Sequence, residues 1–151
     1  MNKVSISLFE PEIPQNTGNI IRLCANSGTE LHLIEPLGFS MDSSSLKRSS
    51  LDYRDLTRVK VHPSWDSFTS KTNGRLFAIS TKGTKRYDKI KYQANDILVF
   101  GPETRGLPPS ILNNSQVETS VNIPMASNNR SINLSNAVAI VLFEALRQLG
   151  F

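Results

Sequence analysis

Residues 96–108 read DILVFGPETRGLP, an apolar run followed at once by a charged loop between two glycines. A similar apolar run, RLFAIS, covers residues 75–80. Runs of this kind are typical of strands covered on both faces of a sheet. Gly101 and Gly106 permit a close approach of the backbone in the loop that follows. Glu103, the loop's carboxylate, is therefore either a solvent-facing group or part of a ligand site.

Strands and helices alternate along the whole chain. Besides the two runs above, apolar alternation predicts strands at 4–9, 31–36, 56–61 and 118–124. Helical spacing and capping residues predict helices at 16–27, 64–71, 109–114 and 133–149. This order predicts an α/β fold with a mostly parallel sheet flanked by helices. Because such sheets bind ligands at the carboxyl ends of strands, the loops after Ile79, Phe100 and Ile123 are the candidate sites.

Length and composition fit one soluble domain. The chain has 151 residues, 38% hydrophobic and 20% charged, with a net charge of +4 that permits an anionic partner such as nucleic acid. Its first residues lack the long apolar segment of a signal peptide. No apolar stretch reaches the roughly 20 residues that a membrane span needs. We expect a cytoplasmic protein that does not bind membranes.

Several common catalytic motifs and metal-ligand sets are missing from the sequence. Cys24 is the only cysteine, which excludes disulfides and Cys-rich zinc sites, and its position predicts a small apolar helix residue. His32 and His62 are the only histidines, and a strand or surface role is expected for them. The sequence contains no G-x-G-x-x-G, Walker A or G-x-S-x-G motif. We predict no metal.

The predicted last helix, residues 133–149, is apolar around most of its circumference. One stripe at helical spacing contains Leu134, Ala137, Val138, Val141, Leu142, Ala145 and Leu149. Most of the remaining surface is also apolar: Ala139, Ile140, Phe143 and Leu146. Two explanations fit this pattern: a second subunit covers part of the helix, or the helix lies deep in its own core.

Two polar segments allow either a structural or a functional reading. Residues 82–91 (KGTKRYDKIK) contain five basic residues, with Tyr87 inside the segment and Tyr92 directly after it. Such a segment is either an RNA-binding loop, with charge for phosphates and rings for bases, or a solvated loop. Residues 127–135 (SNNRSINLS) provide helix caps through Ser131 or Asn133, although a cap requires only one of them.

Three segments together resemble the SpoU branch of the SPOUT methyltransferases. They are NTGNIIR (16–22), GPETRGLP (101–108) and IPM with RSINLSNA (within 123–137). The start EPEIPQNTGNIIRLCANSG and the segment DYRDLT (52–57) are similar to the minimal, TrmL-like group of that branch. The resemblance covers essentially the whole chain, and the order and spacing of the three motifs make it specific.

The resemblance implies an S-adenosyl-L-methionine-dependent ribose 2′-O-methyltransferase that releases S-adenosyl-L-homocysteine and requires no metal. For the TrmL-like group it implies tRNA as the partner, with methylation of cytidine or uridine 34 in leucine tRNAs. It also implies a SPOUT fold with a deep trefoil knot near the C-terminus and a homodimer. We expect residues 1–151 to form a single methyltransferase domain without an appended RNA-binding domain.

The resemblance also assigns residues to the site. It implies cofactor binding by Ile79, Thr81, Gly101, Ile123, Met125, Ser131 and Leu134. It implies catalytic roles for Asn16, Arg22, Glu103 and Asn133. Contacts with RNA are expected from Arg22, Lys85, Arg86 and Lys89.

Arg22 matches the motif arginine that is proposed to activate the ribose hydroxyl. Because a guanidinium stays protonated, Arg22 could instead hold the adjoining phosphate and stabilise the forming alkoxide. The site that Arg22 serves can belong to its own subunit or to the other one. Two alternative functions remain: methylation of another tRNA or rRNA site, and a non-catalytic RNA-binding factor on the same fold.

Overall fold

One parallel sheet organises the structure. The computed structural model describes residues 4–48, 52, 54–129 and 131–151. The strands are β1 (Ser5–Phe9), β2 (Leu31–Ile34), β3 (Val59–His62), β4 (Leu76–Ile79), β5 (Lys85–Arg86), β6 (Ile97–Phe100) and β7 (Val117–Asn122). The helices are α1 (Pro14–Ser27), α2 (Ser44–Lys47), α3 (Trp65–Ser70), α4 (Pro109–Leu112) and α5 (Leu134–Leu149), with 3-10 turns at Asp55–Arg58 and Tyr87–Lys89.

The strand order places three candidate loops side by side. The described residues form a seven-stranded sheet in the order β3-β2-β1-β6-β4-β7-β5, and all of its paired strands are parallel. The adjacent strands β6, β4 and β7 therefore release their following loops at one edge. This arrangement confirms the α/β, mostly parallel prediction. The trefoil knot stays a prediction.

Both faces of the sheet are covered by apolar side chains. Along β6, Leu98 and Phe100 join the core cluster beneath α1 and α5, whereas Ile97 and Val99 join the cluster beneath α3 and α4. Strand β4 alternates in the same way, and every residue of both strands is buried. The nearly continuous apolar runs are thus explained, because alternate side chains of a strand point to opposite faces.

Most predicted elements are confirmed, with shifted ends. Helix α1 begins at Pro14 rather than residue 16, and it ends at Ser27 as predicted, followed by Gly28 at φ 70°. Ser64 caps α3 and Asn133 caps α5, each through its side-chain oxygen. The strand predicted at 56–61 is wrong in position, since residues 55–58 form a 3-10 turn and the strand follows it. Tyr53 and Arg130, which fall in two of the matched segments, lie outside the described residues.

Helix α5 covers the chain's own core with the stripe that the sequence singles out. Val138, Val141, Leu142, Ala145 and Leu146 are completely buried within the single chain. Phe143 faces the other way, is 44% exposed, and meets the ring of Phe151 at a centroid distance of 5.8 Å. The chain's own core therefore covers the middle of the stripe, whereas Leu134, Ala137 and Leu149 are only half-buried and Phe143 is exposed.

The basic segment differs from a free loop. Lys85 and Arg86 form the edge strand β5, which the sequence did not predict, and both are exposed. Tyr92 is buried and its hydroxyl donates to the carbonyl of Tyr87 at 2.7 Å. Of the two alternatives for this segment, base stacking does not apply to Tyr92, because its ring packs edge-on against Phe77 in the core.

Buried groups include the single cysteine and both histidines. Cys24 lies in the core, and burial raises the pKa of its thiol to about 12, which agrees with a small apolar role. His32 and His62 are each 5% exposed on neighbouring strands, with His32 Nδ1 and His62 Nε2 2.9 Å apart. Burial lowers the pKa of His32 to about 4, and burial also lowers the pKa of His62.

These histidines should make the protein less stable in mild acid. The unfolded chain takes up protons near pH 6.5, whereas folded His32 does so only near pH 4, so stability falls as the pH drops between these values. Denaturant unfolding should show a loss of about 2 kcal/mol between roughly pH 7.5 and 5. His32→Leu should flatten this slope whatever its absolute stability. A wild-type slope of zero would contradict the expectation.

Candidate functional site

A cavity of about 510 Å³ opens at the carboxyl ends of β4, β6 and β7. All seven predicted cofactor-binding residues line it, together with three of the four predicted catalytic residues. The set is Asn16, Ile79, Thr81, Gly101, Glu103, Ile123, Met125, Ser131, Asn133 and Leu134. Residues that are up to 118 positions apart in sequence thus converge on one space.

Glu103 joins the loop after β6 to the start of α1. Its Oε1 accepts from the backbone N–H of Glu12 at 2.8 Å, and its Oε2 accepts from that of Ile13 at 2.9 Å. Helix α1 has no side-chain cap of its own at Ile13 and no acidic residue in its first turn. The carboxylate therefore bonds the N–H groups of the two residues that lead into α1, at the partly positive end of a helix that begins about 90 residues earlier.

A reciprocal contact strengthens this junction. Oε1 of Glu12 accepts from the backbone N–H of Thr104 at 2.9 Å and from its hydroxyl at 2.8 Å. These bonds lower the pKa of Glu12. Arg105 extends to Glu10 at 3.3 Å and to Glu12 at 3.6 Å. The charges of the GPETRGLP loop thus pair with residues 10–13, and the predicted alternative of a solvent-facing Glu103 is wrong.

The two glycines allow the loop to fold back on itself. A side chain at Gly101 would collide with the backbone of Gly106 and Leu107. Gly106 has φ +68° and its N–H donates to the carbonyl of Pro102 at 2.8 Å. Gly101 lines the cavity, but the contact that excludes a side chain there lies within the protein itself.

Two asparagines continue the connection from Glu103 to α5. Asn16 is 8% exposed and its Nδ2 donates to Glu103 Oε2 at 3.3 Å. Its Oδ1 accepts from Asn133 Nδ2 at 3.2 Å. Asn133 Oδ1 in turn accepts from the backbone of Ser135 at 3.0 Å and of Asn136 at 3.3 Å, capping α5. One chain of hydrogen bonds therefore links all three matched motifs.

The cavity walls combine apolar contacts with a few polar groups. Ile79, Ile123 and Leu134 pack against the main core and border the cavity, so their side chains present apolar surface to a ligand. Cationic groups at the rim come from Lys82 and Arg105. A pocket of this size, mostly apolar with convergent polar groups, is typical of small-molecule and cofactor sites.

The other predicted site residues lie elsewhere. Arg22 is exposed and does not border the cavity, although it belongs to the same helix as Asn16, roughly 9 Å further along the axis. Lys85, Arg86 and Lys89 are exposed outside the cavity lining, and Arg86 Nε lies 2.8 Å from Asp88 Oδ1. The structure thus separates the predicted RNA-binding residues from the predicted cofactor pocket.

Sequence reasoning missed several cavity residues. Lys82 directly follows the predicted Thr81 and could have been found from that neighbourhood. Ile13 and Thr104 gave no local signal, because their roles come from the contact between two distant loops. Within the described ranges, no group of three or more His, Cys, Asp or Glu residues is arranged to hold a metal ion. No helix in those ranges is long and apolar enough to cross a membrane.

Replacing Glu103 should test its role as the anchor of α1. Glu103→Ala leaves two backbone N–H groups without their acceptor and should lower the free energy of unfolding by about 1–2 kcal/mol. Glu103→Gln keeps one acceptor oxygen and should lose less. Urea denaturation followed by the fluorescence of Trp65, the only tryptophan, measures both.

Glu118→Ala provides a matched control, since Glu118 is an exposed glutamate on β7. It should change stability by less than about 0.5 kcal/mol. Equal losses in Glu103→Ala and Glu118→Ala would remove the anchoring role.

Known proteins share this sequence and architecture. The tRNA (cytidine(34)-2′-O)-methyltransferase of Escherichia coli strain K12 is 54% identical over 149 residues, covering 98% of this chain and 95% of that protein. A solved structure described as giving insights into the 2-OH methylation of C/U34 on tRNA superposes with a TM-score of 0.91 at 40% identity, covering 98% of this chain and 97% of the other.

A third comparison comes from a larger protein. The SpoU methyltransferase AviRb from Streptomyces viridochromogenes, in complex with the cofactor AdoMet, gives a TM-score of 0.82 at 26% identity and covers 99% of this chain and 59% of that one. The model of the SpoU rRNA methylase family matches residues 3–143. This match spans all three motifs that surround the cavity, and the chain therefore belongs to the SpoU rRNA methylase family.

Proposed function

We propose that this protein is an S-adenosyl-L-methionine-dependent tRNA 2′-O-methyltransferase acting on the ribose of nucleotide 34. The observation that carries the proposal is the convergence of three family motifs on one cavity at the carboxyl ends of adjacent parallel strands. The 54% identical relative is named for this reaction on cytidine 34. Leucine tRNAs as the substrates, a cytoplasmic location and a single domain over residues 1–151 remain predictions.

The cavity suits the proposed cofactor in size and lining. Ile79, Ile123 and Leu134 offer apolar surface for an adenine ring, and the turn at Gly101 brings backbone to the cavity wall. The related AviRb was solved with AdoMet bound. When bound, S-adenosyl-L-methionine supplies an electrophilic methyl group on a positively charged sulfur. Its transfer forms an oxygen–carbon bond, breaks a carbon–sulfur bond and releases the hydroxyl proton.

The protein's own task is alignment and charge stabilisation. Glu103 is held by two backbone N–H groups and Asn16, so we propose a positioning role for it rather than proton removal. Asn16 and Asn133 fix the loops on either side in the same way. We propose that Arg22 holds the phosphate beside the target ribose and stabilises the developing alkoxide.

A homodimer would explain the distance of Arg22 from the cavity. The exposed Arg22 does not border the cavity of its own chain. We propose that it completes the site of a second subunit, and that the exposed side of α5 around Phe143 contributes to the subunit contact. The exposed charges of Lys85, Arg86 and Lys89 would then bind the phosphates of the tRNA outside the pocket.

Methyl transfer can be measured directly. Purified protein, tRNA and S-adenosyl-L-methionine should yield a nucleoside methylated on the 2′ oxygen at position 34, detected by mass spectrometry of digested tRNA. Methylation at another position would support the alternative of a different RNA target. Tight tRNA binding without affinity for S-adenosyl-L-methionine would support the non-catalytic RNA-binding alternative.

Arg22→Ala should separate catalysis from cofactor binding. We expect a fall in methyl transfer of about 100-fold or more, because a charge that acts on the transition state is lost. Calorimetric affinity for S-adenosyl-L-methionine should stay within about twofold. The exposed Arg54 offers a control, and Arg54→Ala should retain activity. Equal losses of affinity and activity in Arg22→Ala would point to a structural role.

Phe143→Glu should test the subunit contact. A charge on this half-exposed ring should dissociate the dimer and halve the mass measured by analytical ultracentrifugation, while the circular dichroism spectrum is retained. Val61→Glu is the matched control, since Val61 is 45% exposed on the distant edge strand β3. A wild-type monomer, or a Phe143→Glu dimer of unchanged affinity, would refute this assembly.

A further inference from the structure

A second cavity, of about 670 Å³, lies at the opposite end of the sheet. Most of its lining residues lie at or next to the amino-terminal ends of β1, β2, β3, β4 and β6 or at the end of α3, and His62, the last residue of β3, also borders it. The lining residues with charged or imidazole side chains are Glu30, His32, Arg58, Lys60, His62 and Lys71. It has no lining residue in common with the cavity described above.

The two histidines in this lining have a defined hydrogen-bond order. His32 Nε2 lies 3.1 Å from Glu30 Oε1, and a carboxylate can only accept, so this nitrogen carries the proton of neutral His32. His32 Nδ1 must then accept from His62 Nε2–H at 2.9 Å. In neutral His62 the remaining nitrogen, Nδ1, is therefore a bare acceptor. This atom is buried and has no hydrogen-bond partner among the described residues.

The surroundings of His62 are predominantly positive. Lys60 Nζ pairs with Glu30 Oε2 at 3.1 Å, and Arg58 donates to the carbonyl of Gly28 at 3.5 Å. Lys71 follows α3 and has no ion pair with a described residue. Glu30 is the one carboxylate in the cavity lining, and Lys60 and His32 already engage it. A cation would thus be repelled, whereas an anion would meet charge that is not neutralised.

We propose that this cavity binds a tetrahedral oxyanion of the phosphate or sulfate class, together with one proton that enters the His32–His62 pair. The proton converts His62 Nδ1, which is buried behind the cavity lining, from an unpartnered acceptor into a donor, and it gives the histidine pair a positive charge beside the cavity. The anion then lies between Lys71, Lys60 and an imidazolium, with Arg58 at its edge. Its negative charge offsets the repulsion from Lys71 and Lys60 that, after burial, disfavours a charged His62.

Anion binding and proton uptake by the histidine pair should each favour the other. Anion binding takes up a proton, so affinity should rise as the pH falls below the range in which free His62 is neutral. Sulfate is the suitable probe, because its own charge stays constant between about pH 5 and 8, unlike that of phosphate. The protein has only two histidines, so their imidazole ¹⁵N signals can be followed without overlap.

The experiment is a sulfate titration of the full chain at several pH values. Saturating sulfate should move the titration midpoint of the histidine pair upward, and calorimetry in two buffers should show proton uptake. Lys71→Gln should weaken sulfate binding by about tenfold, the value of one charge-assisted contact. Lys71 is exposed, so this variant should fold. Lys47→Gln, an exposed lysine on α2, should bind sulfate as the wild type does.

Two further measurements identify the source of the anion. If it is an RNA phosphate, Lys71→Gln should weaken tRNA binding and sulfate should compete with tRNA. If it is free phosphate, Lys71→Gln should weaken the binding of sulfate and phosphate and leave tRNA binding unchanged. A histidine midpoint unmoved by sulfate, or equal sulfate affinity in Lys71→Gln and wild type, would overturn the proposal. Methyl transfer is measured separately, so its absence would not affect this result.

Discussion

The carboxylate of Glu103 at the start of α1 is the contact on which the proposed site depends. A helix begins with N–H groups that have no partner within the helix, and α1 has no side chain of its own to cap them. The loop after β6 supplies a carboxylate that accepts from the N–H groups of Glu12 and Ile13, the two residues that precede the helix. Because the carboxylate holds these two N–H groups and complements the helix dipole, one residue fixes the start of the helix relative to the sheet edge.

The same carboxylate orders the third loop through two amides. Asn16 donates to Glu103 and accepts from Asn133, which caps α5 with its other atom. An asparagine is suited to each place because it has both a donor and an acceptor, whereas aspartate would have acceptors alone. The starts of α1 and α5 are thereby held at one side of the cavity, and a shift in either helix would break bonds at the other.

Apolar patterns in the sequence predicted the strands of the sheet well, because the burial of a strand determines the residue types within that strand. The runs ending at Ile79 and Phe100 are apolar since both faces are covered, and the loops after them do meet at one edge. The partners of Glu103 could not be predicted in this way. They lie about 90 residues away and use backbone N–H groups, which leave no trace in residue type.

Apolar character proved ambiguous where a helix has two covered sides. The apolar circumference of α5 fits either a second subunit or a position deep in the chain's own core, and the core of one chain buries Val138, Val141, Leu142, Ala145 and Leu146. The spacing of apolar residues predicts how wide the apolar surface of a helix is. It does not predict whether the chain's own core or a second subunit covers that surface. Tyr92 shows the same limit, since an aromatic residue beside basic ones is compatible with base stacking, yet its ring packs on Phe77.

The two ends of the sheet differ in how completely their polar groups are satisfied. At the carboxyl end, Glu103, Asn16 and Asn133 bond to one another and to backbone, so their geometry is set before any ligand arrives. At the second cavity, most of whose lining lies at the amino end, His62 keeps a buried nitrogen without a partner, and Lys71 has no ion pair among the described residues. Preorganisation favours alignment of a reaction, whereas an unsatisfied buried group favours a ligand or proton that completes it. A parallel sheet makes this division possible, because all strand starts meet at one edge and all strand ends at the other.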